Sequence, residues 1–265
     1  MSHLRARLVL IAVGLLLAVL VWGQGGRLDH GLSVSNVIAV PVVGEDGALR
    51  VFLTLANTGG PDRLIAVQSP LAAEAGLVLP PEVSAIPVPS GSSPILAADG
   101  AHILLQGLSG AAQAGALVPL TLIFDQAGEV TTRATVSAPL TPGRAAEAGL
   151  LGLGDICTIG PGEPAPQLDL SVRPRPDGAG WEIEVMTTDF TFAAPVDGIG
   201  HLPGYGHGHL YLDGVKLQRL YRSRAEIGAL PPGPHVITVT LNTNDHRAYV
   251  VDEQPVSHSR TIASD

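Results

Sequence analysis

From Leu32 to Ile262 the chain is a succession of short segments in which apolar and polar residues alternate, each closed by Gly, Pro, Asn or Asp. LRVFLTLAN, HILLQGL and VPLTLIFD are the clearest in the first part. LDLSVRP, WEIEVMTTDF, HGHLYLDG, VKLQRLY, HVITVTLN and AYVVDE follow in the second. A period of two sends successive side chains to opposite faces of an extended strand. The 32 Gly and 22 Pro supply turns at short intervals, which suits many short strands rather than long helices. Asp213-Gly214 between two such segments is a strong tight-hairpin signal. Aromatic residues are only 4% of the chain, so the cores have to be built from Val, Leu, Ile and Ala. The fold class expected is all-β, as two β-sandwich domains of the cupredoxin-like or immunoglobulin-like kind.

The pattern breaks twice. Arg5 and Arg7 precede an uncharged apolar run from Leu8 to Trp22, followed by the polar GQGG. A basic flank and about 15 apolar residues match a secretory signal or a short positive-inside anchor. A span usually takes about 20, so residues 1–24 read first as a signal sequence and next as an uncleaved anchor through residues 8–22. Either assignment makes the protein exported, periplasmic or held at the inner membrane. The second break is PLTPGRAAEAGLLGLGDICTIGPGEPAPQ, rich in Pro, Gly and Ala without strand periodicity. It reads as an interdomain linker over 139–167, between a first β-domain at 32–138 and a second at 168–263. Its Cys157 is the single cysteine, so no internal disulfide is available.

A formal net charge of -9 with no basic cluster beyond the first residues argues against a nucleic-acid partner. There is no Gly-x-Ser-x-Gly elbow, no phosphate-binding loop and no carboxylate pair singled out by its spacing.

In the first domain the strand VFLTLAN ends in Asn57-Thr58-Gly59 and is followed by Asp62-Arg63-Leu64. A proline-rich segment, the strand Ala101-His102-Ile103 and a closing LTLIFDQAG come after it. Over roughly residues 35–138 this order resembles the periplasmic copper chaperone family PCuAC. The resemblance implies a β-sandwich that carries copper on methionine and histidine ligands, donors that suit the soft Cu(I) ion. Of that ligand pattern only His102 stands at a matching position. Leu104 occupies the place of the paired methionine, and Met186, the one methionine besides the initiator, lies in the other domain. The first domain therefore keeps the scaffold without the family's full copper site.

The second domain concentrates histidines. His207 and His209 are two apart in GYGHGHLYLDG, so both imidazoles face one way and can reach one ion. His235 opens HVITVTLN and His246 closes NTNDH. The stretch from Trp181 to Val256 resembles a module that accompanies PCuAC-type domains in bacterial exported proteins. If that module holds a metal, His207, His209 and His246 are the expected ligands. A nitrogen-rich set favours Cu(II) or Zn(II) over Cu(I). Each histidine also has a structural reading: His235 as a core-edge residue bonded to backbone, and Asp245-His246 as turn chemistry.

Together these readings lead to a non-enzymatic, exported copper-binding protein of chaperone type, with copper as Cu(I) or Cu(II) on His102, His207, His209, His235 and His246. Its expected partner is a copper-accepting membrane protein such as a respiratory oxidase subunit. Two alternatives stay open. One is a structural or protein-interaction module that has lost its copper site. The other is a cupin-like metal-dependent oxygenase, in which His207, His209, Asp213 and His235 would converge on one metal.

Overall fold

The computed structural model describes residues 31–265 apart from 82, 99, 110–112, 138–155 and 197. The apolar N-terminal run and most of the Pro/Gly-rich linker expected from sequence lie outside the described residues. Those that are described form strands and turns with no helix, an all-β fold over the described residues. Among them, accordingly, no helix is long and apolar enough to cross a membrane.

The N-terminal half contains β1 (Leu32–Pro41), β2 (Leu49–Asn57), β3 (Asp62–Gln68), β4 (Glu74–Val78) and β5 (Ile86–Val88). It continues with β6 (Ile95–Leu96), β7 (His102–Gln106), β8 (Leu117–Phe124) and β9 (Gly128–Val136). β2 pairs antiparallel with β1, β6 and β7, and β8 with β3 and β9. The alternation seen in LRVFLTLAN buries Leu49, Val51, Leu53 and Leu55 against Leu64, Ile103, Leu105, Leu120 and Leu122. The Asn-Thr-Gly and Asp-Arg-Leu motifs have structural work here. Buried Asn57 donates its side-chain amide to the carbonyls of Val88 and Pro89. Asp62 accepts from the backbone N–H of Gln126 and Ala127, holding the β8–β9 turn.

The C-terminal half contains β10 (Ile156–Thr158), β11 (Gln167–Pro174), β12 (Gly180–Thr188), β13 (Thr191–Phe192), β14 (Tyr205–Leu212) and β15 (Val215–Leu220). β16 (Arg224–Gly228), β17 (Gly233–Asn242), β18 (Ala248–Val251), β19 (Gln254–Pro255) and β20 (Ser257–Ser264) complete it. β14 lies between β15 and β17, and β17 pairs onward with β20. A separate three-stranded sheet, β11-β12-β16, packs across this one. Leu170, Ile183, Val185 and Ile227 of the small sheet meet Leu210, Leu212, Ile237 and Val239 of the large one. Within the stretch expected to be linker, β10 pairs in parallel with β18, Cys157 opposite Tyr249.

The halves join through backbone as well as side chains. Lys216 of β15 pairs with Ile95 of β6, Ala101 N–H donates to Gly214 C=O at 3.1 Å, and Ser90 N–H donates to Ala229 C=O at 2.9 Å. Val215, a strand residue of the second half, is buried in the core of the first. At Gly228 an added Cβ would collide with the Ser90 carbonyl, so glycine is what lets these two segments touch.

Candidate metal centre

β14 has two unlike faces. Leu210 and Leu212 point into the sandwich core, while His207, His209 and Tyr211 stand on the opposite face by the period of two. Cross-strand partners on that face are polar: Asn242 beside His207, Thr240 beside His209 on β17, and Arg219 beside His209 on β15. Gly206 alternates with the histidines, and a side chain there would run into the Asn242 carbonyl. The glycine thus keeps β14 tight against β17 where the histidines sit.

His246 arrives from the turn between β17 and β18. Its N–H donates to Thr243 C=O at 3.0 Å, and Arg247 N–H donates to the Thr243 hydroxyl at 3.1 Å. Asn244 fastens the same turn to the loop before β14: its amide donates to Val196 C=O, and its side-chain oxygen accepts from Val196 N–H. His246 itself has φ 67°, a left-handed conformation that non-glycine residues rarely adopt. The turn swings the imidazole over β14.

Three ring nitrogens converge. His207 Nε2 is 3.0 Å from His209 Nε2 and 3.0 Å from His246 Nδ1. Among the described residues these three form a group whose donor atoms all lie within 4.8 Å of one another. Imidazoles bound to one tetrahedral ion at about 2.0–2.1 Å hold their nitrogens roughly 3.3 Å apart, so each of the two His207 contacts needs to open by only a few tenths of an ångström. His207 and His209 are buried and His246 is partly open, which leaves one side for an ion to enter. His207 Nδ1 is buried without a hydrogen-bond partner. Burial, then the neighbouring His209 and His246, then Arg219 and Lys216, hold the His207 pKa down to about 2. His207 is therefore neutral at physiological pH and keeps a lone pair. Its Nε2 has an imidazole nitrogen on either side, an arrangement in which three lone pairs can converge on one ion.

The other candidates lie elsewhere. His235 is on the face of β17 that it shares with Ile237 and Val239, away from Thr240 and Asn242. Its Nδ1 meets Asp213 Oδ2 at 2.7 Å and its Nε2 meets Pro231 C=O at 2.7 Å. Both partners are acceptors, so both ring nitrogens donate and neither has a lone pair for a metal. Burial pulls its pKa down, but the hydrogen bonds to Asp213 and Pro231 outweigh this and leave it raised. The convergence of His207, His209, Asp213 and His235 that a cupin-like centre requires is absent, because Asp213 and His235 bind each other.

His102 begins β7, half-buried. Its Nδ1 is 3.2 Å from Gly100 C=O and its ring is 5.9 Å from that of Phe52. Leu104 shares its face; Val78 is the cross-strand partner of His102 and Arg50 that of Leu104, none of them a soft donor. Cys157 is buried in β10; burial raises its pKa, with Arg247 acting against the rise. It does not join the three-histidine group. Tyr211, Arg219, Tyr221 and Lys216 surround the centre and were not singled out from sequence. Tyr211 continues the His-x-His alternation by one step, a signal that period-two counting carries.

The model of a family of lipoproteins, described as putative and LpqE-like, matches residues 32–136, the span of β1 to β9. The N-terminal half is an LpqE-like, PCuAC-related domain. Solved structures similar to this LpqE-like half include the copper-bound PCuAC domain from PmoF2, 30% identical over 41% of this chain and 94% of that one, with a TM-score of 0.38. The apo PCuAC domain from PmoF1 is 26% identical over 41% of this chain and 95% of that one, TM-score 0.38. The solution structure of Cu(I)-DR1885 from Deinococcus radiodurans is 24% identical over 43% and 82%, TM-score 0.34. No curated protein sequence matches the chain. The three-histidine centre lies outside the LpqE-like segment, in the C-terminal half.

Proposed function

We propose that this is an exported copper-binding protein that carries its ion on His207 Nε2, His209 Nε2 and His246 Nδ1. It hands the ion to a copper-accepting membrane partner, such as a subunit of a respiratory oxidase. The observation that carries this reading is the approach of three imidazoles on a polar face, two of them buried and one partly open. The resemblance of the first half to PCuAC domains directs the choice to copper among nitrogen-seeking metals. Transfer proceeds by ligand exchange: His246, the outermost ligand, is replaced first by a donor of the acceptor, so the ion is never released to water. The exported setting agrees with the apolar run over residues 8–22 and the lipoprotein description of the family.

A second reading applies to the first half alone. The surroundings of His102 offer Leu104, Val78, Phe52 and Arg50 where soft ligands would be needed. That favours a docking or scaffolding role for the LpqE-like domain beside a metal-carrying second half.

The test is titration of the chain from Gly25 onward with Cu(I), Cu(II) and Zn(II) separately, with His207→Ala/His209→Ala and His246→Ala variants checked for native circular dichroism. One-to-one copper binding lost in both variants supports the reading. Binding no tighter than roughly micromolar, about −8 kcal/mol, overturns it and leaves an interaction scaffold.

A further inference from the structure

Tyr211 stands two residues beyond His209 on the same face of β14, and its hydroxyl is 3.3 Å from His209 Nδ1. The two ring nitrogens of an imidazole lie on opposite sides, so this hydroxyl is behind the ring, remote from the point where His209 Nε2 meets His207 Nε2. It is placed to act on the ligand and not on the ion. Resting on the three-histidine reading above, we propose that Tyr211 is the positioning residue of the centre. Its oxygen accepts the His209 Nδ1 proton, which fixes the tautomer that leaves Nε2 free to bind metal. Partners of this kind set the orientation and basicity of metal-bound histidines.

Tyr211 is itself held from several sides. Its backbone is paired with Lys216 on β15 and with Thr238 on β17. The Lys216 ammonium is 5.9 Å from its ring centroid, a cation–π distance. From the N-terminal half, Gly100 faces the ring edge, where an added Cβ would lie 3.7 Å from Tyr211 Cε1. His207, by contrast, has no partner on Nδ1, and His246 uses Nδ1 toward the cluster. His209 is the ligand whose orientation is set by a neighbouring phenol.

The experiment compares the full chain with Tyr211→Phe, which keeps the ring and removes the oxygen. Competition titration with Cu(II) gives affinity, and ¹H–¹⁵N spectra of the Zn(II)-loaded forms read the His209 Nδ1 proton. The expected result is an affinity loss of about tenfold, with unchanged stoichiometry and metal-free melting temperature. The Nδ1–H resonance, slow to exchange in the wild type, disappears in the variant. Equal affinity and a persistent Nδ1–H in Tyr211→Phe overturn this assignment while leaving the copper reading in place. Failure of the wild type to bind either ion overturns both.

Discussion

His235 Nδ1 donates to Asp213 Oδ2 at 2.7 Å across 22 positions of chain, tying the start of β17 to the Asp-Gly turn that joins β14 and β15. Asp213 adopts φ 49° in that turn, and its other oxygen accepts from Val236 N–H at 2.7 Å. One carboxylate therefore shapes a hairpin, closes a neighbouring strand and holds a charged imidazole whose second proton goes to Pro231 C=O.

Asp213→Asn keeps the turn and the acceptor for Val236 but weakens the hold on imidazolium. It is expected to cost about 2 kcal/mol at pH 6, the scale of a hydrogen bond to a charged group. The folded-state pKa of His235 is raised, so its stabilisation is fully present below the unfolded value of 6.5 and fades as pH rises through the folded one. Urea unfolding of wild type and variant at pH 6 and pH 9 should show the gap narrowing at the higher pH. Copper affinity should stay unchanged, since His235 is not in the cluster.

His207 has the opposite sign. Its folded pKa is held near 2 against 6.5 unfolded, so the unfolded chain takes up a proton that the folded one refuses. Stability from this group is present above pH 6.5 and is lost as pH falls. Between pH 8 and pH 5 its share amounts to about 2 kcal/mol. Denaturant midpoints of the metal-free chain at the two pH values, with His207→Asn as the control, isolate it. A midpoint equally pH-dependent in the control would show that other groups carry the effect.

Copper should stabilise the folded chain by mass action. At 100 times Kd the gain is about 2.7 kcal/mol, read as a rise in melting temperature that a chelator reverses. His246→Ala should lose most of this gain while retaining the metal-free melting temperature, because His246 is the partly open member of the cluster.

Asp62→Ala removes the acceptor for the backbone N–H groups of Gln126 and Ala127. Leaving such partly buried donors unsatisfied costs about 1–3 kcal/mol each. Guanidinium unfolding should show a loss of about 2–6 kcal/mol for the two donors together, with copper binding at the three-histidine centre intact.

The strands were legible because burial on one side demands alternation: HILLQGL and LRVFLTLAN read directly as β7 and β2. His207 and His209 were legible for the same reason, since two-residue spacing places both on one face. His246 came only from the layout of the NTNDHR turn, because nothing in local periodicity says that a turn will fold its fifth residue over a strand 39 positions earlier. His235 looked like a ligand because a histidine opening a strand carries no mark of the carboxylate waiting across the sheet. The strand at Cys157 has no sequence signal for a related reason: three residues among Pro and Gly show no period, and pairing with β18 supplies what the local sequence lacks.

The rung between Ile95 and Lys216, with Val215 sunk in the opposite core, makes each half the cover of the other's exposed edge. Expressed alone, either fragment would present an uncapped strand border, the template on which foreign chains add themselves. Supplied together, the same two borders become mutual address labels. A chain cut between residues 138 and 155 would then behave as a split protein whose pieces find each other, with metal loading reporting their reunion.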